Sequence, residues 1–411
     1  MRDINFLSFV IVLSLSVLGL SGCATTSGNP RNGTENACVF SSGTWENGHC
    51  ICGGETCDTG IMCNTITQKC ANKVSCAPEA AAPLSGEEAL SLWQADATAK
   101  KELINYIEKI TKPGKDFIPV ADRIAVFDLD GTLLCETDPN YLDYNIFVYR
   151  VLEDPAYRDK ATEKQIDIAQ KIVKSNETGM EPEGLDVAHQ NAYIEVFAGM
   201  TLPEYHNYVG KFLEQPAPGY EGMKRGESFY KPMLEVIKYL QANEFTVYIV
   251  SGTDRLQVRA VIDGKIDIPE RQVIGSDGTI VAKGQEKTDD LVNDNLNYVY
   301  KEDDELVRGN QFIVKNLKMN KVAVIAQEIG TQPVLSFGNS TGDASMAEYV
   351  ITNNRYPSRA FMLLADDFER ENGNQAKADR IQQLCDKYGW IPVSMKNDWK
   401  TIYGENVTKK Q

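Results

Sequence analysis

The sequence is poor in histidine: only His49, His189 and His206 occur in 411 residues. So few, and so scattered, they weigh against a histidine-rich zinc centre and against most triad hydrolases. An excess of positive charge is also missing. Lys and Arg total 42 against 58 Asp and Glu, a formal net charge of −16. That disfavours a general nucleic-acid binder and a protein held to anionic lipid by charge, since both need a basic surface. The apolar run at residues 6–20 (FLSFVIVLSLSVLGL) has 15 residues, short of the roughly 20 that a membrane-spanning helix needs. Past residue 76, cysteine is reduced to Cys135 and Cys385. What is present suffices for a folded core: 42% hydrophobic and 9% aromatic residues, well above a disordered composition. The length suits two to three domains of about 150 residues each.

The first 22 residues read as a signal peptide. Arg2 gives the positive start, weakened by Asp3, and the apolar run has the length of a signal-peptide core. It ends in Leu20-Ser21-Gly22-Cys23, which resembles a bacterial lipobox. The resemblance implies cleavage before Cys23 and lipidation of its thiol and amine. It further implies an exported bacterial lipoprotein, on the periplasmic side of the outer membrane or at the cell surface. Membrane contact would then come through the lipid anchor only. An ordinary signal peptide and a retained membrane helix are the competing readings. Residues 23–37 are small and polar and read as the lipidated tether.

Residues 38–76 hold seven of the ten cysteines, Cys38, Cys50, Cys52, Cys57, Cys63, Cys70 and Cys76, with few apolar residues between them. Such a segment folds only with staples, and behind an export signal disulfides are the default. A zinc site would need paired Cys-x-x-Cys-type spacing, which is not evident. Residues 77–87 (APEAAAPLSGE) read as a linker.

From residue 88 to the end, long periodic segments point to an α/β domain. Residues 88–111 are helical in pattern, with Leu103, Ile104, Ile107 and Ile110 at helical spacing. Ile124-Ala125-Val126-Phe127 is a continuous apolar run, as expected for a strand buried on both faces of a parallel sheet. It runs directly into Asp128-Leu129-Asp130-Gly131-Thr132. Open α/β sheets bind ligands beyond the carboxyl ends of their strands. Two carboxylates placed there repel unless a cation or a proton lies between them, and Mg²⁺ suits them. Thr246–Val250 is a second strand, ending in Ser251-Gly252. Lys321 opens a helical stretch, and Pro333–Phe337 is a strand ending in Gly338-Asn339-Ser340-Thr341-Gly342-Asp343. A nucleophile, an acid/base, a cation and hydroxyl donors are thus all expected at strand tips or helix starts. Phosphoryl chemistry on Mg²⁺ needs that set.

In this order the four segments resemble the haloacid dehalogenase-like phosphatase superfamily over about residues 89–395. Asp122–Asp128, Phe337–Ser340 and Asp366–Arg370 are similar to the phosphoserine phosphatase-like bacterial members. The resemblance implies a Rossmann-like parallel sheet core with a helical cap insert, here about residues 139–228. It implies Asp128 as nucleophile and Asp130 as acid and base. Thr132, Ser251, Gly252 and Lys321 would bind the phosphoryl group. Mg²⁺ would rest on Asp128, Asp130, Asn339 and Asp343, and the substrate would be a small organic phosphate. Asn339 departs from the pattern, since many members have Asp there; Thr341 is a second departure. Lys315 and Lys318 compete with Lys321 for its role, and Glu136 either lines the pocket or is exposed. His189 and His206 fall in the insert and read as structural. Tyr141, Tyr144, Phe147 and Tyr149 could face an organic leaving group, but core packing suits them better.

Other readings of the same residues fail on particular positions. Gly338–Gly342 matches the esterase elbow Gly-x-Ser-x-Gly, but no histidine follows His206 to serve as its base. Asp128–Thr132 opens like a calcium loop, yet Leu133 stands where Gly is required and Pro139 where Glu is required. A dehalogenase needs no proton for its leaving halide, so Asp130 favours a phosphate ester. An inactive binding module and a phosphotransferase are the remaining alternatives to a hydrolase.

Overall fold

The computed structural model describes residues 44–46, 49–52, 55–57, 61–63, 70–72, 85–178, 180, 182–285 and 295–410. The chain divides into two units, Met1–Ala81 and Ala82–Gln411. The signal peptide, Cys23 and the tether lie outside the described residues, as do the cysteine pairings and most of the linker. In the first unit, Thr44–Glu46, His49–Cys52 and Glu55–Cys57 form an antiparallel sheet. Ile61–Cys63 and Cys70–Asn72 form a second antiparallel pair.

The second unit is built on seven strands: β1 (Ile124–Phe127), β2 (Thr246–Asp254), β3 (Val273–Ala282), β4 (Leu306–Val314), β5 (Leu335–Gly338), β6 (Arg359–Leu364) and β7 (Ile391–Ser394). Their order in the sheet is β4-β3-β2-β1-β5-β6-β7. All neighbours are parallel except β4, which returns antiparallel along β3. This is a Rossmann-like α/β sheet. Its order reverses direction between β1 and β5, so the crevice for a ligand opens at the tips of β1, β2 and β5.

Register at those tips is fixed by aromatic stacking. Phe127, Phe337 and Phe361 lie side by side on β1, β5 and β6. Their rings stack nearly parallel, with centroids 4.2 Å and 4.9 Å apart. Sliding any one strand by a residue would turn its ring to the other face of the sheet. β1 and β5 therefore end within one residue of each other, which holds Asp128 beside the loop that follows β5.

Helices flank the sheet: α1 (Thr98–Thr111), α6 (Lys231–Ala242), α7 (Arg255–Ile262), α8 (Met319–Val324), α9 (Ala344–Ile351) and α10 (Gln375–Tyr388). The pattern at 88–111 predicts one helix, but only Thr98–Thr111 is helical, preceded by the single turn Gly86–Ala89. The intervening chain turns inward at Trp93, which bridges Trp399 and donates its indole N–H to the Pro232 carbonyl at 3.1 Å. Burial of one tryptophan outweighs continuation of a helix.

Between β1 and β2 lies the helical insert: α2 (Leu142–Val148), α3 (Glu163–Thr178), α4 (Leu185–Phe197) and α5 (Leu202–Leu213). Thr201 and Glu204 form a reciprocal capping box that starts α5. A buried Arg308 holds the insert to the sheet. It grips Asp254 at 3.0 and 2.9 Å and stacks its guanidinium 4.0 Å over Tyr205 of α5. Tyr144, Phe147 and His189 pack together inside the insert, as core packing requires. Cys135 and Cys385 are free and buried.

Candidate active site

β1 delivers its carboxylates by running out of sheet. Asp128 N–H donates to the Phe337 carbonyl at 2.9 Å, the last strand-like bond before the chain turns. Leu129–Leu134 then close a tight loop, with Gly131 N–H bonded to Leu134 O at 2.7 Å. Gly131 has φ +77°, and a Cβ there would lie 1.7 Å from Asn339 Nδ2. Only glycine suits both the left-handed backbone and the close approach. The loop thereby brings Asp128, Asp130 and Thr132 against the segment after β5.

Lys321 is the hub. It is fully buried, and its three N–H donors reach Asp128 Oδ1, Asp343 Oδ1 and the Val250 carbonyl, each at 2.6 Å. Lys315 is only partly buried, and Lys318 is exposed with φ +55°. Of the three candidate lysines, Lys321 is the one joined to the carboxylates. Asp343 adds the second half of the cradle: its Oδ2 accepts from Asn339 N–H, Ser340 N–H and Ser340 Oγ, each at 3.1 Å. Burial pushes Asp343 up, but Lys321 and these donors outweigh it and hold the carboxyl below the usual range.

The first two aspartates respond differently. Burial, followed by the charge of Asp343, raises Asp128 to about 7, against the pull of Lys321. Burial, followed by the charges of Asp128 and Asp143, raises Asp130 to about 8. Thr253 Oγ1 donates to Asp130 Oδ2 at 2.7 Å, while Asp130 Oδ1 is buried without a partner. Burial thus holds both strand-tip carboxyls well above the usual carboxylate range.

The hydroxyls converge on the same place. Thr132 is fully buried and its Oγ1 has no partner. Ser251 is equally buried and its Oγ accepts from Thr253 N–H at 3.0 Å. Gly252 follows on β2, where a Cβ would meet the Leu317 side chain at 2.6 Å. Asn316 Nδ2 donates to the Ser251 carbonyl at 3.0 Å. Ser276 Oγ donates to the Gly252 carbonyl at 2.6 Å. The expected set Asp128, Asp130, Thr132, Ser251, Gly252, Lys321, Asn339 and Asp343 therefore gathers at one end of the sheet.

Four residues complete the site without a signal of their own in the sequence: Thr253, Ser276, Asn316 and Lys377. Thr253 alone was within reach, since it directly follows Ser251-Gly252. Glu136, left open by the sequence, lines the site. It accepts from Asn339 Nδ2 at 3.2 Å and from Tyr141 OH at 3.3 Å, and pairs with Lys377.

Among the described residues no three His, Cys, Asp or Glu side chains form a metal cage. The donors nevertheless fit Mg²⁺, which takes one or two carboxylates and keeps its waters. Asp128 and Asp343 are carboxylates sharing one cation, Asn339 adds a neutral amide, and Asp130 Oδ1 is a buried oxygen without a partner. Two larger clefts lie away from these carboxylates. One, of about 350 Å³, lies between α5 and α7; the other, of about 460 Å³, lies beside Tyr149 and Arg225.

No family model matches the chain, and neither does any curated protein. Among solved structures, 41 chains match. A conserved functionally unknown protein from Anaerococcus prevotii is 14% identical, covering 75% of this chain and 96% of its own, with a TM-score of 0.44. Cytosolic 5′-nucleotidase IIIB bound to cytidine is 13% identical, covering 76% and 92%, with a TM-score of 0.44. A substrate-bound phosphoserine phosphatase is 11% identical, covering 59% and 86%, with a TM-score of 0.30. The likeness concerns the course of the chain, and no activity passes to this protein through it.

Proposed function

We propose that this chain of haloacid dehalogenase-like fold is a phosphomonoester hydrolase, working through an aspartyl-phosphate on small organic phosphates. The observation behind the proposal is the buried Lys321 ammonium, shared by Asp128 and Asp343 and set beside an Asp130 held near neutrality. Such a cluster costs a protein stability and is retained where charge must be handled.

Asp128, its anionic form favoured by Lys321, attacks phosphorus as the ester P–O bond breaks. Asp130 gives its proton to the departing alcohol oxygen. It then takes a proton from the water that attacks the aspartyl-phosphate, releasing inorganic phosphate and restoring Asp128. Thr132 Oγ1 and Ser251 Oγ donate to the phosphoryl oxygens, and Lys321 offsets their charge. Mg²⁺, held by Asp128, the Asp130 carbonyl, Asn339 and Asp343, would supply the remaining positive charge. Thr253 fixes the Asp130 carboxyl through Oδ2 and leaves Oδ1 for the leaving group. The helical insert shields the site from bulk solvent while the ester bond is cleaved. The N-terminal sequence supports the same enzyme acting outside the cytoplasm, anchored through lipidated Cys23.

Hydrolysis of p-nitrophenyl phosphate, with and without Mg²⁺, tests the proposal. Activity that needs Mg²⁺ and is abolished by Asp128→Asn is expected. Undiminished activity in Asp128→Asn would sink the mechanism, and no activity on any phosphate ester would favour a binding module.

A further inference from the structure

Asn339 stands where an aspartate would offer a cation two equivalent oxygens. An amide offers only one: its oxygen can ligate Mg²⁺, whereas its nitrogen, carrying two hydrogens, cannot. Which end the amide presents therefore matters, and in this chain Glu136 decides it. Asn339 is 4% exposed, and its Nδ2 donates to Glu136 Oε1 at 3.2 Å. A carboxylate only accepts, so the nitrogen is the end that faces Glu136, and Oδ1 is the end left for a cation. The backbone of the same residue is tied separately, through its N–H to Asp343 Oδ2 at 3.1 Å.

Glu136 is itself held in place. Its Oε1 also accepts from Tyr141 OH at 3.3 Å and pairs with Lys377. Lys377 lies in the first turn of α10, where its N–H donates to the capping Asn374 side chain at 2.9 Å. The three donors thus reach one oxygen from α10, from the residue before α2 and from the loop after β5. The catalytic loop makes room for the arrangement. A Cβ at Gly131 would lie 1.7 Å from Asn339 Nδ2 and 3.2 Å from the Glu136 carboxyl carbon. An aspartate at position 339 would set a second carboxylate against Glu136, and the two would repel.

We propose that Glu136 is a positioning residue for the metal: anchored by Lys377 and Tyr141, it orients the Asn339 amide so that Oδ1 is presented to Mg²⁺. Glu136 and Asn339 then act as a pair, and asparagine rather than aspartate suits position 339 because Glu136 stands beside it. The proposal rests on the Mg²⁺-dependent phosphatase reading above.

Calorimetric titration of the full chain with Mg²⁺, without substrate, tests this. Glu136→Met and Glu136→Gln remove the same charge. All three neighbours of Oε1 donate, so glutamine turns its carbonyl to them and keeps an acceptor for Asn339 Nδ2, whereas methionine keeps none. Glu136→Met should therefore bind Mg²⁺ about tenfold or more weakly than Glu136→Gln, as loss of a group that orients a ligand does. Glu136→Leu repeats the comparison with a second side chain that cannot accept. In an Asn339→Asp background no orientation is needed, and the same ratio should fall to within about threefold. Equal affinity of the Met, Leu and Gln variants with Asn339 in place overturns the proposal, because only the charge of Glu136 would then matter. A ratio as large in the Asn339→Asp background also overturns it, because the role would then be structural. Hydrolysis of p-nitrophenyl phosphate by the wild type leaves the phosphatase reading intact in both cases. A wild type that neither binds Mg²⁺ nor hydrolyses the ester overturns both.

Discussion

Replacing Lys321 with methionine removes one charge and three hydrogen bonds while keeping most of the buried volume. Each of the three contacts is 2.6 Å long, and two are to carboxylates in a fully buried setting. Removing one partner of a buried ion pair costs about 3–5 kcal/mol, because the partner left behind keeps its charge without compensation. Here two carboxylates are left. Asp343 retains three donors on Oδ2, so Asp128 bears the larger penalty. Asp128 already stands near 7 with Lys321 present, and without it the carboxyl moves higher. Protonation relieves the penalty, so the loss of stability should be greatest at pH 8 and smaller at pH 5. Urea unfolding in the presence of a chelator, at both pH values, measures this through the midpoint at constant slope. An unfolding free energy at pH 8 within about 0.5 kcal/mol of wild type would refute the hub role of Lys321, as would a loss equal at both pH values.

Thr253→Val removes the hydroxyl that lowers the pKa of Asp130. The alkaline limb of the pH–rate profile should move to higher pH, with a fall in kcat of about tenfold or more; an unmoved limb would contradict the bond's role. His189 supplies a pH signature in stability. Its folded value, about 4, lies below the unfolded value near 6.5, so its contribution is present above about pH 6.5 and is lost as pH falls through 4. His189→Phe should therefore gain on the wild type between pH 6.5 and pH 4, by up to about 3 kcal/mol. Parallel stability curves for the two proteins would contradict the buried neutral ring.

Much of the site was legible because each residue ends or begins a local element. Ile124–Phe127 signalled a doubly buried strand, and its end placed Asp128 and Asp130 at a sheet tip. Ser251 and Asp343 follow from the same logic on β2 and after β5. Lys321 was legible only as one of three lysines. Burial separates them, and burial depends on the packing of α8 against the sheet. Thr253 with Asp130, Asn316 with Ser251 and Lys377 with Glu136 join positions far apart in sequence, so no spacing announces them. The antiparallel edge strand β4 escaped the parallel pattern altogether. It carries Arg308, which grips Asp254 beneath the insert.

The central claim is that Asp128 becomes covalently phosphorylated. Asp130→Asn should slow release of that phosphate, since no base remains to activate water. Acid-quenching this variant minutes after mixing with p-nitrophenyl phosphate and Mg²⁺, followed by peptide mass spectrometry, reads the result directly. A phosphoryl mass increment on the peptide containing Asp128, absent in the Asp128→Asn/Asp130→Asn double variant, is the predicted outcome. A phosphoryl group on another residue, or product formation with no enzyme-bound phosphate at any time in the wild type or the variant, would contradict it.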